Sequence, residues 1–147
     1  MKVLVQRVSE ATCTVDNKIV SGIKHGYLLF VGLTHTDTQK EVDYLAKKIA
    51  NLRVFEDEFG KLNKSIIDMN YEILSISQFT LYGETKKGNR PSFTQAMHPL
   101  EAKPLYLSLS NTLQNVYGIN TYNGEFGAHM DISLNNDGPV TIMVESK

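Results

Sequence analysis

The chain contains an uninterrupted apolar stretch, Tyr27-Leu28-Leu29-Phe30-Val31-Gly32-Leu33, which lies between Gly26 and Thr34. A short run that is apolar at every position is typical of a strand buried on both faces of a sheet. A helix follows it along the chain. Thr38 and Glu41 have the spacing of a capping box, and apolar residues then recur at helical intervals from Val42 to Leu52.

Further strands are predicted on both sides of this stretch, at 2–8, 11–15, 19–23, 72–77, 119–122, 130–134 and 140–144. A second helix is expected from Pro99 to Gly118, because proline is tolerated in a first turn and glycine ends helices. Asp137-Gly138 predicts a hairpin turn over residues 135–139. About nine strands and two main helices indicate an α+β fold, a single β-rich domain with mixed sheets over residues 1–147.

Composition limits the class of protein. The 147 residues carry a formal net charge of −1. A protein that binds nucleic acid mainly by long-range electrostatic attraction would be more basic. The lone cysteine, Cys13, excludes an internal disulfide, indicates a reducing compartment and is interpreted as a core residue. The first residues enter a strand pattern directly, and no segment is long enough to cross a bilayer, so a cytoplasmic location without a membrane partner is expected.

The standard catalytic patterns are absent from the sequence. There is no G-x-S-x-G, H-E-x-x-H or Walker A motif and no cysteine–histidine zinc pattern. The histidines lack ligand spacing and are interpreted as surface or structural residues: His25, His35, His98 and His129. The acidic turn at 56–61 is interpreted as solvated, so neither a cofactor nor a metal is expected. Catalysis would then depend on backbone groups, hydroxyls or the substrate itself.

Two segments have a structural and a functional interpretation. Ser77-Gln78-Phe79-Thr80-Leu81 ends a strand, and it is either a hydroxyl ladder or a pocket floor whose N–H groups and threonine hydroxyl face a reacting carbonyl. The second segment carries three cations and then an aromatic residue, and it is either a solvated loop or a contact for RNA phosphates and a stacked base: Lys86, Lys87, Arg90 and Phe93.

A third segment, Asn136-Asp137-Gly138-Pro139-Val140-Thr141, has an unusual feature for a hairpin. The proline after glycine removes a hydrogen-bond donor from the sheet. Residues 138–139 are therefore the place to look for a cis peptide bond, which an X–Pro pair alone does not establish.

Together these segments resemble the D-aminoacyl-tRNA deacylase family. The similarity is collinear from Gln6-Arg7-Val8 to Val140-Thr141-Ile142 and includes the segments 48–49, 52–55, 60–63, 77–81, 88–93, 124–128 and 136–141, with Met130. It covers nearly the whole chain. One position departs from the family pattern, because His129 stands where an acidic residue often precedes the methionine.

The resemblance implies a homodimer that hydrolyses the ester of D-aminoacyl-tRNA and also of glycyl-tRNA, with two sites at the dimer interface and no role for DNA. Gly138-Pro139, in a cis conformation, would enter the partner's site and hold the substrate's α-amino group with its carbonyls, so that an L side chain collides with it. Arg7 would brace those carbonyls. Glycine has no side chain to exclude.

The resemblance also implies roles for the opposite wall. Ser77, Gln78, Phe79 and Thr80 would form it, with the Phe79 and Thr80 amides as oxyanion donors, and Met130 would lie near the terminal adenosine. Thr80 could be the nucleophile, or the ribose 2′-OH could assist attack by water; the second is preferred because no base is evident. The rival functions are an RNA-binding module without activity, a general esterase and a structural dimer.

Overall fold

The computed structural model describes residues 1–147 and contains eight strands, three α-helices and a 3₁₀ turn. The elements are, in chain order, β1 (Lys2–Val15), β2 (Lys18–Ile23), β3 (Gly26–Gly32), α1 (Gln39–Asn51), β4 (Phe55–Glu56), β5 (Leu62–Lys64), α2 (Ile66–Met69), β6 (Glu72–Ser77), the 3₁₀ turn (Phe79–Tyr82), α3 (Pro99–Asn115), β7 (Thr121–Asn123) and β8 (Asp131–Glu145). None of the helices has the length and apolar character needed to cross a membrane.

The main sheet has the strand order β2-β1-β3-β6-β7, and β8 pairs with β1 as well. β1 is antiparallel to β2, β3 and β8, whereas β3 is parallel to β6 and β6 is parallel to β7. The α+β class and the mixed sheet are therefore confirmed. All of β3 except Phe30 is buried, as its unbroken apolar sequence predicts.

Helix α1 begins as its sequence predicts. The Thr38 amide donates to the Glu41 carboxylate at 2.8 Å, which completes the capping box. The Thr38 hydroxyl donates to the same carboxylate at 2.7 Å, and this bond together with that from the amide lowers the pKa of Glu41 to about 2. Val42, Leu45 and Ile49 lie on the inner face and are fully buried in the larger core cluster, together with residues of α3 and one face of the sheet.

Strand β1 is continuous, although its sequence predicts two separate strands. Val8 pairs with Asn136 and Glu10 with Asn135, so Ser9 is an extra residue in β1, a β-bulge. Before the bulge, the odd-numbered residues at positions 3 and 5 pack in the cluster under the helices. After it, those at positions 11 and 13 pack in a second cluster on the opposite face of the sheet. The bulge also interrupts the period-2 pattern that marks a single strand.

The predicted hairpin turn at 135–139 is wrong. β8 keeps its direction and pairs with β1 on both sides of this segment, with Asn136 opposite Val8 and Thr141 opposite Gln6. Four residues, 137–140, lie opposite Arg7 alone, so three of them are surplus and loop out of the sheet. Gln6 Nε2 donates to Asn136 Oδ1 at 2.8 Å, and the Thr141 hydroxyl donates to the same atom at 2.7 Å. These bonds close the base of the loop.

Candidate active site

A cavity of about 720 Å³ opens near the carboxyl ends of β3 and β6. Its walls come from Val31 and Leu33, from the end of β6 and the 3₁₀ turn, from residues 93–99, and from residues 126–130. Most of the lining side chains are apolar. The volume lies in the range of cavities that hold small molecules.

Residues 77–79 line this cavity at the point where β6 ends, and Thr80 follows them in the same turn. The Gln78 amide still donates to the Val31 carbonyl at 2.7 Å, after which the chain turns away from the sheet. Leu81 and Gly83 donate the next bonds, to the carbonyls of Gln78 and Thr80. At the start of such a turn the preceding amides have no acceptor within it. The amides of Phe79 and Thr80 occupy that position.

Thr80 lies in the same turn but is not among the residues that line the cavity. The hydrogen-bond partner of its hydroxyl is the Gln78 side-chain amide, which donates to Thr80 Oγ1. An amide N–H cannot remove a proton from a hydroxyl. Thr80 therefore lacks the adjacent base that a nucleophilic hydroxyl requires.

Phe79 and Phe93 join two segments that are separate in the sequence. Both line the cavity, and their rings meet edge to face with centroids 5.2 Å apart. A Cβ atom at Gly83 would lie 3.0 Å from the Phe93 ring, so any larger residue there would require the ring to shift. A pair of backbone bonds between Glu84 and Ser92 closes the loop between the two walls, at 2.8 and 3.0 Å. The exposed side chains of this loop lie outside the cavity lining: Lys86, Lys87 and Arg90.

Met130 also lines the cavity, on the wall that residues 126–130 form. A Cβ atom at Gly124 would lie 2.8 Å from Met130 Sδ and 2.8 Å from Ile76 Cδ1. The glycine therefore allows this segment to pack directly against the end of β6. The cavity thus contains Ser77, Gln78, Phe79 and Met130 together.

Three histidines line the same cavity: His35, His98 and His129. Their sequence spacing gives no sign of this, because they lie in the β3–α1 turn, at the start of α3 and before β8. Only the glycine-rich surroundings of His129 mark one of them in the sequence. No group of three or more histidine, cysteine, aspartate or glutamate side chains in the chain is arranged to hold a metal ion.

Arg7 is buried beneath the loop at 137–140. Its Nη1 donates to the Val54 carbonyl at 2.7 Å, and its Nε donates to the Asp137 carbonyl at 3.2 Å. Nε also lies 3.3 Å from the Asp137 carboxylate. The carbonyl that Arg7 contacts is therefore that of Asp137 rather than those of the next two residues. Burial raises the pKa of the neighbouring Tyr27 hydroxyl, and Arg7 partly opposes that shift.

Gly138 and Pro139 are exposed and joined by a cis peptide bond. They do not line the cavity of their own chain. Arg7 lies opposite Tyr27 in the sheet, whereas the cavity begins at Val31, roughly 13 Å further along the strand at about 3.3 Å per residue. The structure therefore brings Arg7 together with this loop but separates both from residues 77–80.

Comparison with known proteins identifies the class to which this fold and cavity belong. The family model for D-Tyr-tRNA(Tyr) deacylase matches residues 4–145, so the chain belongs to that family of hydrolases, and the expected family is confirmed. The D-aminoacyl-tRNA deacylase of Brevibacillus brevis is 55% identical over 99% of this chain and 100% of its own length. That of Halalkalibacterium halodurans is 52% identical over the full length of both chains.

Two solved structures have the same fold as this chain. The structure of a c-Myc DNA unwinding element binding protein is 46% identical, with a TM-score of 0.95, and the alignment covers 100% of this chain and 99% of the other. A second structure, titled as that of a "probable eukaryotic D-amino acid tRNA deacylase", is 16% identical, with a TM-score of 0.86 and 98% of each chain covered. At that identity the likeness shows the fold alone.

Proposed function

We propose that this chain hydrolyses the ester that joins a D-amino acid to the 3′ end of tRNA, releasing the free amino acid and the tRNA. The observation that carries the proposal is the turn at 77–80, whose residues 77–79 line an apolar cavity in a chain of the deacylase family and whose first backbone amides have no acceptor within the turn. Such donors stabilise the oxyanion that forms when an ester carbonyl is attacked. The amides of Phe79 and Thr80 take this role.

Water is the nucleophile in this proposal, and the 2′-OH of the terminal ribose assists its attack. Water adds to the ester carbonyl, the bond to the 3′ oxygen breaks, and that oxygen takes the proton. The contact of the Thr80 hydroxyl with the Gln78 amide supports this assignment, because no base contacts Thr80 Oγ1. The protein then contributes position and oxyanion stabilisation.

Selection for the D configuration depends on a second copy of the chain in this proposal. The Gly138-Pro139 loop of one subunit enters the cavity of the other, where its carbonyls bind the substrate's α-amino group and its bulk excludes an L side chain. Three features support this: the loop is exposed, it projects from the sheet, and Arg7 fixes its base. Glycyl-tRNA is a second substrate, because glycine has no side chain to exclude.

Contact with the RNA is assigned to the loop at 84–92. Lys86, Lys87 and Arg90 are exposed near its tip, and Phe93 connects the loop to the cavity wall. A chain with a net charge of −1 needs a local cluster of this kind to meet phosphates. The proposal places the protein in the cytoplasm, where charged tRNA is used.

The test compares the deacylation of D-Tyr-tRNA, L-Tyr-tRNA and Gly-tRNA at low enzyme concentration. We expect rapid loss of the D and glycyl esters, with the L ester spared. Binding of all three without cleavage would instead support an RNA-binding module. A D-Tyr-tRNA with a terminal 2′-deoxyribose tests the mechanism, and an undiminished rate on it would contradict assistance by the 2′-OH. Equal turnover of a small D-tyrosine ester that lacks RNA would support a general esterase.

A further inference from the structure

The cavity lining has a distinctive charge composition. Of its twenty residues, only His35, His98 and His129 have side chains that can carry a charge between about pH 5 and 8. No lysine, arginine, aspartate or glutamate is among them. The fourth histidine, His25, lies elsewhere and stacks on Tyr71 with ring centroids 5.3 Å apart. The charge of the cavity therefore depends on these three imidazoles alone.

The hydrogen bonds of the three rings leave nitrogens free for a ligand. His35 Nε2 lies 2.7 Å from the Thr94 carbonyl and donates to it. His98 Nδ1 accepts from the Leu100 amide at 3.3 Å at the start of α3, which leaves its Nε2 without a partner within the chain. The His129 side chain is 95% exposed. A protonated imidazole is a donor at both nitrogens, so protonation of His35 keeps its bond to Thr94, whereas protonation of His98 gives up the bond that its Nδ1 accepts from the Leu100 amide.

The carboxylates near these rings do not enter the cavity. Asp131 Oδ1 lies 3.9 Å from His129 Nε2, and its side chain is 78% exposed. Glu101 is an exposed residue of the first turn of α3, after His98. Asp37, in the same turn as His35, is occupied by bonds from the Thr34 amide and the terminal ammonium, both at 2.7 Å. Asp131 is therefore the one carboxylate that can pair with these rings, through an exposed contact with His129, and neither Glu101 nor Asp37 lines the cavity.

We infer that His35, His98 and His129 bind the phosphodiester that precedes the terminal adenosine of the RNA, so that affinity for the acceptor end rises as the pH falls. The inference rests on the proposed function, in which the ester lies at the turn at 77–80, so that the terminal adenosine joined to it lies in the cavity beside this turn. The phosphate joined to a nucleoside held there must lie close to its rim, and the lining offers no permanent cation to meet it. Protonated imidazoles are the cations that remain.

Binding of two probes tests this inference at about pH 6 and about pH 8 and constant ionic strength. The dinucleotide CpA carries one phosphodiester, and adenosine carries none. We expect CpA to bind more tightly at the lower pH, on the order of fivefold for one imidazolium within about 4 Å of the phosphate. The affinity for adenosine should not change with pH.

The matched variants keep the local structure. In the triple variant His35→Asn, His98→Asn and His129→Asn, asparagine can still donate to Thr94 and is a good N-cap at the start of α3. Its CpA affinity should equal that of the wild type at the higher pH and should not respond to pH. The control His25→Asn lies outside the cavity and should retain the full response.

The outcomes separate the inference from the proposed function. Binding of CpA that does not change with pH in the wild type, together with hydrolysis of D-aminoacyl-tRNA, would overturn the histidine assignment alone. A pH response that persists in the triple variant would overturn it as well. If neither CpA nor adenosine binds and no ester is hydrolysed, the proposed function fails and the inference fails with it.

Discussion

Arg7→Lys tests whether Arg7 holds the loop at 137–140 through its two-pronged geometry or only through its charge. The guanidinium donates to two carbonyls, those of Val54 and Asp137, at 2.7 and 3.2 Å. A lysine has a single compact ammonium in place of this planar group, so it can reach only one of the two carbonyls. One lost bond from a charged donor costs about 1.5–3 kcal/mol. The pair with the half-exposed Asp137 adds at most about 1 kcal/mol, because solvent screens it.

We therefore expect Arg7→Lys to lower the free energy of unfolding by about 2 kcal/mol, which corresponds to a Tm lower by roughly 4–8 °C for a domain of this size. Urea and thermal unfolding measure this change. The variant should also hydrolyse L-Tyr-tRNA faster relative to D-Tyr-tRNA, because the loop loses one of its two anchors. Both rates are measured at a temperature at which the variant is fully folded.

Arg53→Lys is the matched control. Arg53 has the same forked contact, to the Asn63 carbonyl and side chain at 2.9 and 3.0 Å, but it is exposed. Its replacement should change stability by no more than about 0.5 kcal/mol. Two results would refute the argument: Arg7→Lys as stable as Arg53→Lys, or a destabilised Arg7→Lys with the D-to-L rate ratio of the wild type.

Three further predictions follow from the structure. Glu41→Gln should lower the free energy of unfolding at neutral pH, and the difference from the wild type should shrink between about pH 5 and pH 2. The reason is that the carboxyl has a pKa of about 2 in the folded protein and about 4.3 in the unfolded chain. A difference in urea unfolding that stays constant with pH would contradict this. Thr80→Ala should keep the D-Tyr-tRNA rate within about tenfold, because the backbone donor remains, and complete loss would make Thr80 the nucleophile. Gly138→Ala should lower the free energy of unfolding by about 1–3 kcal/mol and weaken chiral selection. The reason is that Gly138 has a φ of +117° and that the new Cβ would lie 2.8 Å from Arg7 Nη2. Unchanged unfolding and selectivity would show that the loop tolerates a side chain.

Part of the candidate site is visible in the sequence as separate segments. The stretch at 77–81 and the aromatic end of the basic loop both have functional interpretations there, and the structure brings Phe79 and Phe93 into contact in one cavity. The roles of these residues and of Gly138-Pro139 remain predictions. The grouping of His35, His98 and His129 has no sequence signal, because residues about 30 and 60 positions apart meet only when three elements end at the same edge.

The elements that depend on local patterns are predictable from the amino-acid sequence alone. The apolar run of β3, the capping box of α1 and the proline that begins α3 are each defined by residues within a few positions, and so each was predictable. The collinear segments along the chain were likewise sufficient to indicate the family.

The path of β1 and β8, in contrast, depends on pairing between segments that are far apart in the sequence. Asp137-Gly138 is a strong local signal for a hairpin, yet β8 continues straight through it because β1, about 130 residues away, is long enough to pair with both halves. The ladder of hydrogen bonds on both sides of Arg7 outweighs the preference of one dipeptide for a turn. That distant pairing turns residues 137–140 into an exposed loop above Arg7, which no local pattern in the sequence shows.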